Sequence, residues 1–114
     1  MPEVSSTVGI SDIGLYVPQP AIDLENLVER RVRLNPRLDR HLKRACRVTG
    51  QKAIRFPEIW EDCATLAASA IRMLFRQNPG IDAKYVRHLA VGTETGVDHA
   101  KPVSAYAQGM ALLA

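Results

Sequence analysis

The run His88-Leu-Ala-Val-Gly92 is apolar without alternation, and polar residues begin directly behind it at Thr93, Glu94 and Thr95. A strand with one face in water would show a polar residue at every second position, so such a run suits a strand covered on both faces. That requirement implies an α/β arrangement, with helices above and below a mostly parallel sheet. The long helix expected from Ile59 to about Gln77 fits this role. Trp60, Cys63, Ala67, Ala70, Ile71 and Leu74 follow i+3/i+4 spacing, and its small alanines allow close approach to a sheet. Glu58, Glu61 and Asp62 lie near its positive end, Arg72 and Arg76 near its negative end, and Asn78-Pro79-Gly80 stops it.

Earlier in the chain, Val8, Ile10, Ile13, Leu15 and Val17 read as a strand with one slip of phase near Ser11 and Asp12, closed by Pro18 and Pro20. Asp23 is placed to cap a helix with Leu24, Leu27, Val28 and Val32 on one side. Asn35 and Pro36 suit the start of a second helix, whose Leu38, Leu42 and Cys46 recur every fourth residue. After Gly50, the segment KAIRFP reads as extended. A last helix is expected from about Pro102, with Val103, Tyr106, Met110 and Leu113 on one face.

A chain of 114 residues holds one small domain at most, and no internal boundary is evident. At 46% hydrophobic and 24% charged residues, the composition excludes a disordered tail. No apolar run is long enough for a transmembrane helix, and MPEVSST has the character of neither a secretory signal nor a transit peptide. Cytoplasmic residence is therefore the expectation. Two convincing strands and a short third cannot make a covered parallel sheet, so these residues are expected to be part of a larger fold. The apolar ending Met110–Ala114, without a capping glycine or polar tail, points the same way. Further sequence or another chain would complete it.

Charge is unevenly spread. Arg30, Arg31, Arg33, Arg37, Arg40, Lys43, Arg44, Arg47, Lys52 and Arg55 face a single acid, Asp39, so positions 30 to 55 carry +9 in a chain of net +3. Such a block is either a solvated helix face or a surface for phosphate-bearing ligands, acidic proteins or nucleic acid. Nucleic acid is disfavoured, because aromatics are 5% of the chain and none is interleaved with the block. Cys46 and Cys63 form no CxxC pair, so neither a zinc site nor a disulfide framework can be read from them. Cys63 reads as a core residue in mid-helix. Cys46 has Arg44 and Arg47 as neighbours, which favour a thiolate.

In open α/β sheets functional groups collect at the carboxyl ends of strands, and Glu94 occupies such a position. Partial desolvation there would raise its pKa and suit it to general acid/base work. The plainer alternative is a capping role or a pair with Lys101. Asp98, His99 and Lys101 read as capping and charge-pairing residues ahead of the last helix.

The segment AVGTETGVDHAKPVSAYAQGM, Ala90 to Met110, resembles the stretch around the catalytic glutamate of hydroxymethylglutaryl-CoA synthases, whose usual form is close to VGTES-x-ID-x-(A/S)K. VGISDIGLYVPQPAIDLENLVERR resembles that family's first strand, its YVP exit and the Asp-initiated helix. TGQKAIRFPEIWEDCATLAASA resembles the segment before its long helix. The likeness runs with gaps from Val8 to Met110 and would cover only the first part of a synthase. The implied fold is the N-terminal part of a thiolase-like layered α/β/α/β/α fold, incomplete on its own. A neighbouring family, 3-oxoacyl-carrier-protein synthase III, shares the first strand and an RTGI-type turn, here Arg47-Val-Thr-Gly50, but lacks a glutamate at Glu94.

The resemblance implies an acyltransferase of the isoprenoid mevalonate pathway that condenses acetyl-CoA with acetoacetyl-CoA. A cysteine carries the acetyl group and Glu94 acts as general acid/base. No residue here matches the family's nucleophilic cysteine or its histidine, so the 114-residue chain alone is expected to be inactive. Arg31 matches an arginine at the end of the family's first helix, and Arg47, Lys52 and Arg55 are further candidates for the CoA entrance. No metal and no cofactor beyond the CoA thioester substrates is implied. A dimer is implied, and an acidic acyl-carrier protein would be drawn to the same patch. The alternatives are a carrier-protein condensing enzyme, including one for polyketide β-branching, and a non-catalytic subunit that binds CoA or a protein partner.

Overall fold

The computed structural model describes residues 8–111. It is a mixed α/β chain with two short strands and four α-helices among those residues. No helix there is long and apolar enough to cross a membrane. Two compact units are formed: Val17–Glu61, and a second that joins Tyr16 and the described residues before it to the stretch from Asp62 onward.

In the Val17–Glu61 unit, β1 (Ala21–Asp23) pairs antiparallel with β2 (Ala53–Arg55), with Ile22 opposite Ile54. The ladder is continued at both ends, where Leu24 N–H donates to Lys52 O at 2.8 Å and Phe56 N–H to Pro20 O at 3.0 Å. The expected extended segment after Gly50 is thus β2, and its partner is the AID that leads into the first helix. That helix, α1 (Leu24–Leu34), begins where expected, because the Asp23 carboxylate accepts from Asn26 N–H at 3.1 Å. Its Val28 is buried, and Leu24, Leu27 and Val32 are half-buried on the same side.

Asn35 ends one helix and begins the next turn. Its N–H donates to Arg31 O at 2.9 Å, and its side chain accepts from Arg37 N–H at 3.2 Å. A 3₁₀ turn at Pro36–Leu38 leads into α2 (Asp39–Thr49), with Leu38, Leu42 and Cys46 half-buried as their spacing predicts. Gly50 closes α2 at φ 66°, in the left-handed region where a side chain is strained, and its N–H returns to Cys46 O.

The second unit is built on α3 (Cys63–Gln77) and α4 (Val103–Ala111), which pack against each other. The start of α3 lies four residues later than Ile59, which corrects the sequence expectation. Asp62 and Thr65 form a reciprocal capping box, at 2.8 Å from Thr65 N–H to the Asp62 carboxylate and 2.7 Å from Asp62 N–H to the Thr65 hydroxyl. Cys63 is therefore the first residue of the helix rather than a mid-helix residue, and Ile59 and Trp60 are 97% and 71% exposed. The buried row of α3 is Ala64 and Ala68, one position on from the expected stripe, and α4, which packs on this helix, buries Val103 and Ala107. Tyr106 and Met110 are half-buried as expected, and Leu113 lies outside the described residues. Gly14 approaches α3 so closely that an added Cβ would fall 2.7 Å from the Leu74 Cβ and 2.9 Å from its backbone.

Two expected strands do not form. Residues Val8 to Val17 and His88 to Gly92 have no ladder partner among the described residues. A strand is stable only when its backbone groups are paired by a neighbour, whatever the pattern of its side chains. Val8 and Ile10 are accordingly 99% and 86% exposed.

Candidate functional site

Glu94 lies in the irregular stretch between a 3₁₀ turn at Ala83–Tyr85 and α4. Its carboxylate is exposed, and among the described residues it makes neither a hydrogen bond nor an ion pair, with Lys101 or any other cation. The loop around it is held by local bonds. Thr93 Oγ1 accepts from Thr95 N–H at 3.1 Å and lies 3.3 Å from the Thr95 hydroxyl. Four residues after Glu94, Asp98 accepts from Ala100 N–H at 2.8 Å and from the Tyr106 hydroxyl at 2.6 Å. Asp98 does not cap α4 as expected, because the helix begins only at Val103 and the Ala100 bond closes a local turn ahead of it; its tie to α4 runs instead through the Tyr106 hydroxyl.

These bonds set the protonation of the pair. The Tyr106 hydroxyl, with the Ala100 amide in support, holds the Asp98 carboxyl below the usual carboxylate range. Its negative charge in turn raises the phenol of Tyr106. No local signal marks such a pair in the sequence, since Tyr106 belongs to the apolar stripe of α4.

The basic segment makes a second site. Within the Val17–Glu61 unit, α1 and α2 border an open groove of about 1230 Å³. Arg47 and Lys52, both candidates for phosphate binding, line it together with Arg33, Arg40 and Lys43 over Val28 and Val32. Two of these cations are already neutralised, Arg33 by Glu29 at 3.5 Å and Lys43 by Asp39 at 2.8 Å. The side chains of Arg40, Arg47 and Lys52 have no charged or hydrogen-bonding partner among the described residues. Arg40, Lys43 and Arg47 recur at helical spacing, which places all three on the α2 wall of the groove.

The other two candidates lie elsewhere. Arg31 is exposed on α1 and does not line the groove. The Arg55 guanidinium donates to Gln19 O at 2.7 Å and Pro18 O at 3.3 Å, which fastens the chain ahead of β1. Cys46 also lines the groove, and both cysteines are free thiols and half-buried. His88 and Arg87 line a smaller cleft of about 620 Å³ beside Ser104 and Gln108 of α4. Among the described residues no three His, Cys, Asp or Glu side chains are gathered as a metal ion would need.

The chain matches no protein-family model, no curated protein and no solved structure.

Proposed function

We propose that this chain supplies the N-terminal portion of a hydroxymethylglutaryl-CoA synthase-like acyltransferase with a thiolase-like fold. Glu94 is its general acid/base, and the nucleophilic cysteine lies outside these 114 residues. The observation that carries this reading is the order of three sequence blocks from Val8 to Met110, with Glu94 in the last. The free carboxylate of Glu94, on a loop tied to α4 through Asp98 and Tyr106, is compatible with it.

In the proposed reaction a cysteine thiolate displaces CoA from acetyl-CoA and holds the acetyl group as a thioester. Glu94 then takes a proton from the acetyl methyl, and the resulting carbanion equivalent attacks the ketone carbon of acetoacetyl-CoA, forming the carbon–carbon bond. The ketone oxygen gains a proton, and water releases the product from the cysteine. A thioester methyl is a weak acid, so the base must be held against it with water excluded. Elements beyond this chain would have to cover Glu94. Arg47 and Lys52, in a groove of suitable size, would meet the phosphates of CoA.

The test is Glu94→Gln in the complete enzyme. Acetyl transfer to the cysteine should persist while condensation falls about a thousandfold, within the range of a lost general base. Condensation at the wild-type rate would remove Glu94 from the mechanism.

A further inference from the structure

The cleft of about 620 Å³ beside α4 has no part in the acyl-transfer reading, and its lining differs in charge from that of the groove. The groove's cations share it with Asp23, Glu25, Glu29 and Asp39, two of which form ion pairs there. No Asp or Glu lines the smaller cleft, whose polar side chains are Lys84, Arg87, His88, Ser104 and Gln108. Lys84 is taken up by Asp82 at 2.7 Å and lies 5.0 Å from the centre of the Tyr85 ring. The side chains of the other four have neither a hydrogen bond nor an ion pair among the described residues.

Each of these four side chains carries a donor. The guanidinium of Arg87 presents a fork of N–H groups, an imidazole has an N–H in either protonation state, and the Ser104 hydroxyl and Gln108 amide both donate. Donors without an acid among them suit a ligand rich in acceptors and negative charge. A carboxylate has two oxygens to offer. A phosphate monoester has three terminal oxygens and a charge of about −1.5 to −2 at pH 7, so it satisfies more of the set. The remaining lining is apolar, chiefly Val86, Leu89 and Pro102. The many hydroxyls of a sugar would find no carboxylate there to receive their protons, whereas an apolar body would be matched by these side chains.

We propose that the cleft between the segment Ala83–Leu89 and α4 binds a small organic phosphate monoester with an apolar body, its phosphate at Arg87, His88, Ser104 and Gln108. The proposal stands independently of acyl transfer, because neither Glu94 nor any residue of the groove lines this cleft.

The experiment titrates the 114-residue chain with phenyl phosphate by calorimetry, with benzoate, inorganic phosphate and CoA in parallel. Phenyl phosphate should bind saturably at one site, and benzoate and inorganic phosphate about tenfold more weakly, the first for lack of oxygens and charge, the second for lack of the apolar body. Arg87→Gln should weaken phenyl phosphate about tenfold. Ser104→Asp, which sets a carboxylate in the cleft, should weaken it at least as much. Arg76→Gln removes the same charge from α3, outside the cleft, and should stay within about twofold of wild type. Arg87 is exposed and unpaired, so its replacement should leave the circular dichroism spectrum unchanged. Absence of saturable phenyl phosphate binding overturns the proposal, as does an equal loss in R76Q. Equal affinity for benzoate would make the cleft a general anion site, and equal affinity for inorganic phosphate would remove the apolar body; either result overturns the assignment. Displacement of phenyl phosphate by CoA at equal concentration would give the cleft to the acyl-transfer substrate and overturn it as well.

Discussion

The bond from the Tyr106 hydroxyl to Asp98, at 2.6 Å, ties the loop that carries Glu94 to the body of α4. Asp98 is charged when it accepts this bond, so the tie depends on pH. Its folded-state pKa is depressed, chiefly by Tyr106. The stabilisation is therefore complete above the ordinary aspartate pKa of 3.8 and is lost as pH falls through the lower folded-state value. Tyr106→Phe should raise the Asp98 pKa towards 3.8, and the carboxyl carbon followed by NMR titration would show it. Amides from Thr93 to Ala100 should also exchange faster in that variant at neutral pH. An unchanged Asp98 titration would mean that the phenol does not hold the carboxylate in solution.

The helices show how unevenly structure is written in a sequence. α1 was legible because its determinants are local: Asp23 caps it, and Leu24, Leu27, Val28 and Val32 recur at its period. The Asp62–Thr65 box was equally local, yet the stronger apolar spacing from Ile59 masked it. The strands read at Val8–Val17 and His88–Gly92 rest on pairing that no local pattern can supply. Arg47 and Lys52 came together because helix period and a following turn set their positions, whereas the alternative task of Arg55, fastening Pro18 and Gln19, depends on contacts far away in sequence. The buried residues of α3 and α4, which pack against each other, are Ala64, Ala68, Val103 and Ala107, the last with no exposed surface. Ala107→Leu should lower the stability of this unit by about 1–3 kcal/mol in urea unfolding, through overpacking. A neutral result would show that the helices part easily.

Across the two units, the buried residues among those described are few and small. Val28, at 9% exposure, is the one buried hydrophobic residue described in the Val17–Glu61 unit, and in the other unit most of the buried residues are alanines. No large side chain is fully buried among the described residues, while Leu15 and Trp60 are 69% and 71% exposed. Burial of this extent gives little hydrophobic stabilisation. Val8, Ile10, Ile13 and Leu15 form an exposed apolar row, which on the proposed reading would be covered by strands outside these residues. The most direct measurement is to isolate the natural protein with its partners attached, incubate it with acetyl-CoA, denature it and weigh the components. The expected result is an acetyl adduct on a cysteine other than Cys46 or Cys63, in a longer polypeptide or on a second chain. A solitary component of 12.6 kDa that takes up no acetyl group would contradict the proposed function.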